Sequence, residues 1–328
     1  MEYLKLTGTD IKTSEIGLGT WAIGGWMWGG TEEKSAIEAI HAALDKGINL
    51  IDTAPVYGFG TSEKITGKAL KDSSVPRDKI VLATKVALDW KDEQVFRNAS
   101  ANRINKEIED SLKRLQTDYV DLYQVHWPDH NTSVEETAKA LQKLKDQGKI
   151  RAIGVSNFDT NQIEEFRKYA DLSSVQPPYN LFERDIEKDL LPYCEKNNLT
   201  TLLYSSLCRG LLTGKMKPDS TWEGDDLRNV DPKYQSPRYE QYLYAVQKLD
   251  DYVRTHHGKR IIHLAIRWIL QQPGANIPLW GSRRPSQLDA LDEVYGWELT
   301  NEDMKAIDDI LNETIKDPVG PEFMAPPK

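Results

Sequence analysis

A two-part unit recurs eight times along the chain and constrains the fold more than any other feature. Each unit has a short apolar or β-branched run, a polar or glycine-containing loop, and a segment with apolar residues at helical spacing. The runs predict strands at 16–18, 49–52, 80–84, 120–125, 152–155, 174–176, 201–204 and 276–279. Apolar strands that alternate with helices predict a parallel sheet covered by helices. Eight such units predict an α/β fold in which residues 1–328 form one (β/α)8 TIM barrel, a single domain.

Two of the intervening segments carry clear helix signals. Residues 32–46 place alanine, isoleucine and leucine on one face and are followed by Gly47 as a stop. Residues 134–146 follow Ser133, which has a glutamate three residues later in capping-box spacing. Ahead of the first barrel strand, two short alternating runs separated by Gly8 predict a small N-terminal β-hairpin.

Composition and charge exclude several classes of protein. A chain of 328 residues with 39% hydrophobic and 28% charged residues can bury a large core and keep a polar surface. The formal net charge of -9 disfavours nucleic acid and anionic membrane partners. Two cysteines are too few for a disulfide framework, and no stretch reads as a secretory signal or membrane span, so we expect a cytoplasmic protein.

Polar side chains follow seven of the eight predicted strands at the point where each strand ends. In barrels of this type the working residues project from the carboxyl ends of the strands. Any one of these residues is more often merely solvated than catalytic, but together they predict an active site on one rim. They are Asp52, Lys85, His126, Ser156, Asn157, Gln176, Tyr204 and the stretch 281–283.

The titratable members of this rim predict acid-base chemistry on a carbonyl group. Tyr57 lies five residues beyond Asp52 and has an ordinary pKa of about 10. We expect the Lys85 ammonium to lower the Tyr57 pKa, and Asp52 to keep that lysine charged and oriented. A neutral His126 would hydrogen-bond the same substrate oxygen. Tyr57 would then protonate a carbonyl oxygen while another group attacks the carbon.

Motifs along nearly the whole chain match one family. They include Gly-Leu-Gly-Thr-Trp at 17–21, Asp-Thr-Ala-x-x-Tyr-Gly at 52–58, Val-His-Trp at 125–127, Gly-Val-Ser-Asn-Phe at 154–158, Gln-x-x-Tyr-Asn at 176–180, Gly-Leu-Leu-Thr-Gly-Lys at 210–215 and Gly-Ser-Arg-Arg-Pro at 281–285. In these motifs the chain resembles the aldo-keto reductases, most closely their bacterial branch of general and sugar-related reductases.

The resemblance implies an enzyme that binds NADP(H) across the barrel rim without a Rossmann unit. Such an enzyme reduces aldehydes, ketones or sugars and, in reverse, oxidises alcohols or polyols. The catalytic tetrad would be Asp52, Tyr57, Lys85 and His126, with Tyr57 as the general acid. The implied cofactor residues are Ser156, Asn157 and Gln176 at the nicotinamide carboxamide, Tyr204 on its ring, Ser205, Leu207, Arg209, Gly210 and Lys215 along the pyrophosphate, Gly281, Ser282, Arg283 and Gln287 at the adenosine end, and Gly19, Thr20, Trp21 and Asp52.

The sequence favours NADPH over NADH. A phosphate dianion needs cationic donors, and Arg283 and Arg284 form a local basic spot in an acidic chain. Arg228 lies in the irregular stretch 221–237, where it would either close over the pyrophosphate or be an exposed loop residue. Ala290 and Leu291 stand where many relatives have an acidic residue and an asparagine, so some adenine hydrogen bonds are expected to be missing.

Several features leave two interpretations open. Trp26, Trp28, Trp90 and Trp127 follow strands in loops, where they would either wall a substrate pocket or simply be buried. Cys208 is either a reactive thiol beside the cofactor or a structural residue. The pair His126 and His130 predicts no metal site, because Pro128 between them prevents a regular helix.

Two other functions compete with the reductase. One is a non-catalytic, redox-sensing regulatory subunit on the same barrel, which the complete tetrad disfavours. The other is a lyase or isomerase that needs no nicotinamide. The dinucleotide fingerprint at 17–22 does not predict a Rossmann turn, since no helix is expected before about Glu32.

Overall fold

Eight parallel strands close into one barrel in a computed structural model that describes residues 1–327. The barrel strands are β3 (Gly17–Gly19), β4 (Leu50–Asp52), β5 (Val81–Val86), β8 (Val120–Val125), β9 (Ile150–Ser156), β10 (Leu172–Gln176), β11 (Thr200–Leu203) and β12 (Ile277–Gly281). Every neighbouring pair is parallel, and β12 pairs with β3 to complete the circle. The predicted fold class and all eight predicted strands are confirmed.

Two hairpins are added to this barrel. Strands β1 (Tyr3–Lys5) and β2 (Lys12–Ser14) pair antiparallel and form the hairpin that the sequence predicts. Strands β6 (Leu88–Lys91) and β7 (Gln94–Arg97) form a second antiparallel hairpin after β5, which the sequence analysis did not anticipate. The second hairpin lies beyond the carboxyl end of β5, on the side of the barrel where the polar rim was expected.

Nine α-helices are present in residues 1–327. They are α1 (Glu33–Asp45), α2 (Thr61–Lys71), α3 (Ala101–Leu115), α4 (Val134–Asp146), α5 (Thr160–Arg167), α6 (Leu190–Lys196), α7 (Arg238–His257), α8 (Ile261–Leu270) and α9 (Asn301–Thr314). Ser133 caps α4 by accepting the N–H of Glu136, as its spacing predicts. Only a short 3₁₀ turn precedes α1, so the 17–22 stretch does not open a Rossmann helix. No helix within 1–327 is long and apolar enough to cross a bilayer.

Strand alternation explains how the polar rim forms. Leu50, Ala83, Leu122 and Ala152 belong to a small buried cluster inside the barrel, which Leu6 and Ile11 of the first hairpin also join. Because side chains alternate between the two faces of a strand, the residues two positions later also point inward. Those residues are Asp52, Lys85, Gln124 and Gly154. The outward residues of the same strands pack beneath the helices in the larger core cluster.

Candidate active site

Four side chains that are far apart in the sequence meet inside the carboxyl end of the barrel. The Lys85 Nζ atom donates to Asp52 Oδ2 at 2.6 Å, to the Thr53 carbonyl oxygen at 3.0 Å and to the Tyr57 hydroxyl at 3.2 Å. The Lys85 side chain is 0% exposed and that of Asp52 is 3% exposed. The ring of His126 lies edge-on to the Tyr57 ring, with 5.6 Å between the ring centroids. The structure therefore brings the predicted tetrad together.

A fifth residue of this cluster, Gln124, was missed by the sequence analysis. Its side-chain amide donates to Asp52 Oδ1 at 3.0 Å, and the Gln176 amide donates to the same oxygen at 3.0 Å. Gln124 and Lys85 are register partners on adjacent strands, and both side chains face inward. Its place two residues after the inward Leu122, in the same alternation as Asp52 and Lys85, was the available signal. The two amides satisfy the carboxylate oxygen that Lys85 does not reach.

The environment sets the protonation states of these groups. Burial, together with the negative charge of Asp52, raises the pKa of Tyr57 well above its usual range. The expected lowering of this pKa is therefore wrong here, because the cost of burying a phenolate outweighs the attraction of the lysine. Burial also lowers the pKa of Lys85, and Asp52 opposes that shift. For His126, burial and then the positive Lys85 lower the pKa well below its usual value, so the imidazole is neutral near pH 7.

Two cavities border the Tyr57 side chain. Cavity A, of about 460 Å³, extends from Asp52 and Tyr57 toward the 281–287 loop. Cavity B, of about 620 Å³, lies on the other side of the same phenol. Trp21, Tyr57 and Tyr204 line both cavities. A side chain that lines both cavities could contact a molecule in either one.

Cavity A is lined by most of the residues predicted to hold the cofactor. These are Gly19, Thr20, Trp21, Asp52, Tyr204, Ser205, Leu207, Arg209, Gly210, Lys215, Arg228, Gly281, Ser282, Arg283 and Gln287. The other three, Ser156, Asn157 and Gln176, line cavity B. There the Tyr204 hydroxyl donates to Asn157 Oδ1 at 2.8 Å and the Ser156 hydroxyl donates to the Gln176 carbonyl at 2.7 Å.

A basic spot lies at the far end of cavity A. The Arg283 guanidinium donates to the carbonyl oxygens of Trp28 at 2.9 Å and Gly30 at 3.3 Å through one nitrogen. Burial lowers the pKa of Arg283, and the positive charges of Arg228 and Arg284 lower it further. Like charges gathered at one place make a favourable position for an anion. The remaining N–H groups of Arg283 could serve such an anion.

Arg228 is neither exposed nor free. Its guanidinium forms a two-bond ion pair with Asp226, with donor-acceptor distances of 2.8 and 2.6 Å, and lies 5.4 Å from the ring centroids of both Trp28 and Trp222. Its side chain is only 14% exposed. The structure therefore favours the interpretation in which Arg228 borders cavity A over that of an exposed loop arginine.

Arg209 lines cavity A, but its guanidinium is ion-paired with two carboxylates. It pairs with Glu183 at 2.6 Å and Asp231 at 2.7 Å, and Lys233 joins Glu183 at 2.8 Å. The arginine side chain is 1% exposed. The neighbouring Cys208 is fully buried, and burial raises its thiol pKa to about 12. A thiol with so high a pKa is unreactive, which favours the structural interpretation of Cys208.

Aromatic and apolar groups form the walls of cavity B. Trp26 and Trp127 line it, together with Gln94, Val95 and Phe96 of the second hairpin and residues 323–327. Trp28 lines cavity A instead. Trp90 lines neither cavity, and its ring packs 5.6 Å from that of Phe59. The hairpin and the 323–327 stretch were not foreseen as pocket walls: the hairpin follows β5 but was not itself predicted, and the 323–327 stretch lies far from any barrel strand in the sequence.

Within residues 1–327, no group of three or more histidine, cysteine or acidic side chains could hold a metal ion. His126 lies beside Tyr57, as described above, and makes its own backbone bond to the Val86 carbonyl.

Comparison with known proteins identifies the architecture of this site. Residues 15–312 match the model of the Aldo/keto reductase family. Over 327 residues, which span 100% of this chain and 98% of its relative, the sequence is 63% identical to aldo-keto reductase YhdN of Bacillus subtilis (strain 168). It is 38% identical over 305 residues to the NADH-specific methylglyoxal reductase of Escherichia coli (strain K12), covering 88% of this chain and 91% of that protein.

Solved structures agree with the sequence matches. The glycerol dehydrogenase AKR11B4 from Gluconobacter oxydans superposes with a TM-score of 0.88 at 51% sequence identity. The superposition covers 98% of this chain and 99% of that structure. The Gluconobacter oxydans structure shares the barrel of this chain. The names of two of these relatives describe different substrates, glycerol and methylglyoxal, and the second also specifies NADH.

Proposed function

Since the chain belongs to the aldo/keto reductase family, we propose that it is an NADP(H)-dependent oxidoreductase that reduces aldehydes and ketones and, in reverse, oxidises alcohols. Residues 1–328 would act as one unit, in the cytoplasm, on small carbonyl or sugar and polyol substrates. Nucleic acid and membranes are not among the partners we propose. A regulatory subunit without activity would not need the complete and buried tetrad described above.

The position of Tyr57 carries this proposal. The residue lines both cavities, and its hydroxyl lies 3.2 Å from the Lys85 ammonium. A raised pKa keeps this phenol protonated until a negative charge develops on a bound oxygen. The proton then passes from the Tyr57 oxygen to that substrate oxygen, and the adjacent ammonium stabilises the phenolate that remains.

The other tetrad members prepare this transfer. Asp52 accepts from Lys85, Gln124 and Gln176, and so holds the ammonium at the phenol. His126 is neutral and can donate one N–H to the same substrate oxygen. Two donors aimed at one oxygen fix the orientation of a carbonyl in cavity B. The same geometry, run backwards, accepts a proton from an alcohol.

The residues of cavity A fit a nicotinamide dinucleotide. When bound, such a cofactor supplies or accepts the hydride. The cavity ends at Arg283, where the neighbouring positive charges of Arg228 and Arg284 favour a 2'-phosphate, although Asp226, which pairs with Arg228, partly offsets them. This supports NADPH over NADH. The name of the Escherichia coli relative specifies NADH, however, so the comparison of both nucleotides belongs in the test.

The test replaces one hydroxyl group. Tyr57→Phe should lower kcat for an aldehyde with NADPH by about 10²- to 10⁴-fold, the usual contribution of a positioned proton donor. The Kd for NADPH, measured through quenching of tryptophan fluorescence, should stay within about twofold of wild type. Such a change is well below the 1.4 kcal/mol that corresponds to a tenfold change in Kd. Tyr244→Phe, on the exposed face of α7, is the matched control and should behave as wild type. Wild-type turnover in Tyr57→Phe would reject the proposed chemistry. Binding of NADH but not NADPH by the wild type would reject the cofactor preference, and absence of binding of both nucleotides would reject the enzyme class.

A further inference from the structure

Residues 321–327 border cavity B, and they have few polar contacts with the rest of the fold, although the Phe323 ring lies 5.5 Å from the Arg209 guanidinium. Phe323, Met324, Ala325, Pro326 and Pro327 line the cavity. Three of the seven positions are proline, which has no N–H to donate. Within the described part of the chain, one hydrogen bond joins 321–327 to another segment: Arg97 donates to the Pro326 carbonyl oxygen at 3.0 Å.

The Arg97 guanidinium also contacts the loop after β8, and Arg97 itself belongs to the second hairpin; both segments border cavity B. Arg97 is the last residue of β7, directly after the lining residues Gln94, Val95 and Phe96. Through a second nitrogen it donates to the Pro128 carbonyl oxygen at 3.0 Å. Its guanidinium carbon also lies 5.1 Å from the centre of the Trp127 ring. One side chain therefore joins the hairpin, the loop after β8 and the 321–327 segment.

Arg97 does this from outside the cavity. It is not among the lining residues of cavity B, so it does not touch a molecule bound there. Its Nε atom is buried without a partner among the residues described, which a freely solvated arginine would avoid. The side chain is thus held in place by its bonds to the carbonyl oxygens of Pro128 and Pro326, two residues that have no N–H of their own.

We propose that Arg97 is a positioning residue that sets the selectivity of cavity B for extended carbonyl substrates by fixing the 321–327 wall. This inference rests on the proposed reductase function. A three-carbon aldehyde fills a small part of a cavity of about 620 Å³, whereas a longer apolar substrate reaches further along its walls. Loss of the wall should therefore weaken the binding of the longer substrate only. Cavity A, which residues 321–327 do not line, should bind the cofactor as before.

The experiment compares propanal with 3-phenylpropanal, which carry the same reacting group and differ by one ring. Arg97→Met should lower kcat/KM for 3-phenylpropanal about tenfold, mainly through KM, because a hydrogen bond from a charged donor is lost. Turnover of propanal and the Kd for NADPH should stay within about twofold of wild type, since neither depends on that bond. Arg97→Lys keeps the charge but cannot bond to both carbonyl oxygens. Its kcat/KM for 3-phenylpropanal should therefore lie between those of wild type and Arg97→Met. Arg167→Met, which removes an arginine bonded to Asn197 away from the site, is the matched control.

Two further measurements show whether Arg97 acts through the segment. Phe323→Ala should shift selectivity in the same direction, and the double variant Arg97→Met, Phe323→Ala should lose no more than the larger single loss. Chymotrypsin cleavage after Phe323, followed by mass spectrometry, should be faster in Arg97→Met than in wild type. Equal losses for both aldehydes, unchanged selectivity, or unchanged cleavage would each overturn the inference. A wild type that reduces neither aldehyde would instead contradict the proposed function, on which the inference depends.

Discussion

The buried pair of Lys85 and Asp52 yields a prediction in which stability and activity separate. The ammonium has three N–H groups and three acceptors, which are Asp52 Oδ2, the Thr53 carbonyl oxygen and the Tyr57 hydroxyl. Lys85→Met removes all three bonds and leaves the Asp52 carboxylate buried without its cation. Breaking a buried pair in this way costs about 3–5 kcal/mol of unfolding free energy. That is a large part of the ~5–15 kcal/mol typical of a folded protein.

The double variant Lys85→Met, Asp52→Asn should recover part of this loss. Asparagine removes the unpaired charge but keeps an oxygen that can accept from the Gln124 and Gln176 amides. We expect the double variant to be about 2–3 kcal/mol more stable than the sum of the two single losses predicts. Its activity should stay as low as that of Lys85→Met, about 10²-fold or more below wild type, because no cation then faces the phenol.

Urea unfolding followed by tryptophan fluorescence measures the unfolding free energies of the wild type, the two single variants and the double variant. Aldehyde reduction with NADPH measures kcat for the same four proteins. The nine tryptophans of the chain provide the signal. Additive losses in the double variant would refute the reasoning, because they would mean that Lys85 and Asp52 do not stabilise each other as charges. Recovery of activity along with stability would refute the role assigned to the ammonium.

Three further predictions concern the cofactor, the missed glutamine and the pH dependence of stability. Arg283→Met should raise the Kd for NADPH about 10- to 100-fold, the value of a charge-assisted phosphate contact, and leave that for NADH unchanged in fluorescence titrations. Gln124→Leu should lower the unfolding free energy by about 1–3 kcal/mol in urea, and Gln124→Glu should lower it more, because it places a second carboxylate 3.0 Å from Asp52. Burial, aided by the positive Arg260, lowers the pKa of His263 to about 4, so between pH 6.5 and 4 the unfolded chain binds a proton that the native state does not. Stability should therefore fall as the pH drops through this range, His263→Gln should reduce the fall by about 1–2 kcal/mol, and the exposed control His256→Gln should not.

Local patterns predicted the barrel and its rim well. The period of two along each strand is visible in the sequence, and it places Asp52 two residues after the inward Leu50 and Lys85 two residues after the inward Ala83. Strand ends therefore pointed to Asp52, Lys85 and His126, which the structure brings together with Tyr57. Gln124 obeys the same rule and was overlooked only because it lies inside a predicted strand rather than after it.

Residues whose position depends on a distant segment could not be predicted in this way. Nothing near Arg97 in the sequence indicates that it binds the Pro326 carbonyl, 229 residues further along the chain. Trp90 follows a strand, as Trp127 does, yet the hairpin turns its ring toward Phe59 instead of into a cavity. The Tyr57 pKa also depends on burial, which spacing does not reveal, and this is why its expected direction was wrong.

Arg209 lies in the expected cavity but has a different physical role from the expected one. Arg209 lines cavity A. Its backbone φ is 52°, in the left-handed region that is unfavourable for an arginine. Ser205 and Cys208 in the same loop also have positive φ, at 59° and 45°. Such a conformation persists only where the surroundings impose it. The buried bonds from Arg209 to Glu183 and Asp231 supply that constraint, so we infer that its guanidinium shapes the loop, and that the loop's backbone, rather than this charge, faces a bound pyrophosphate.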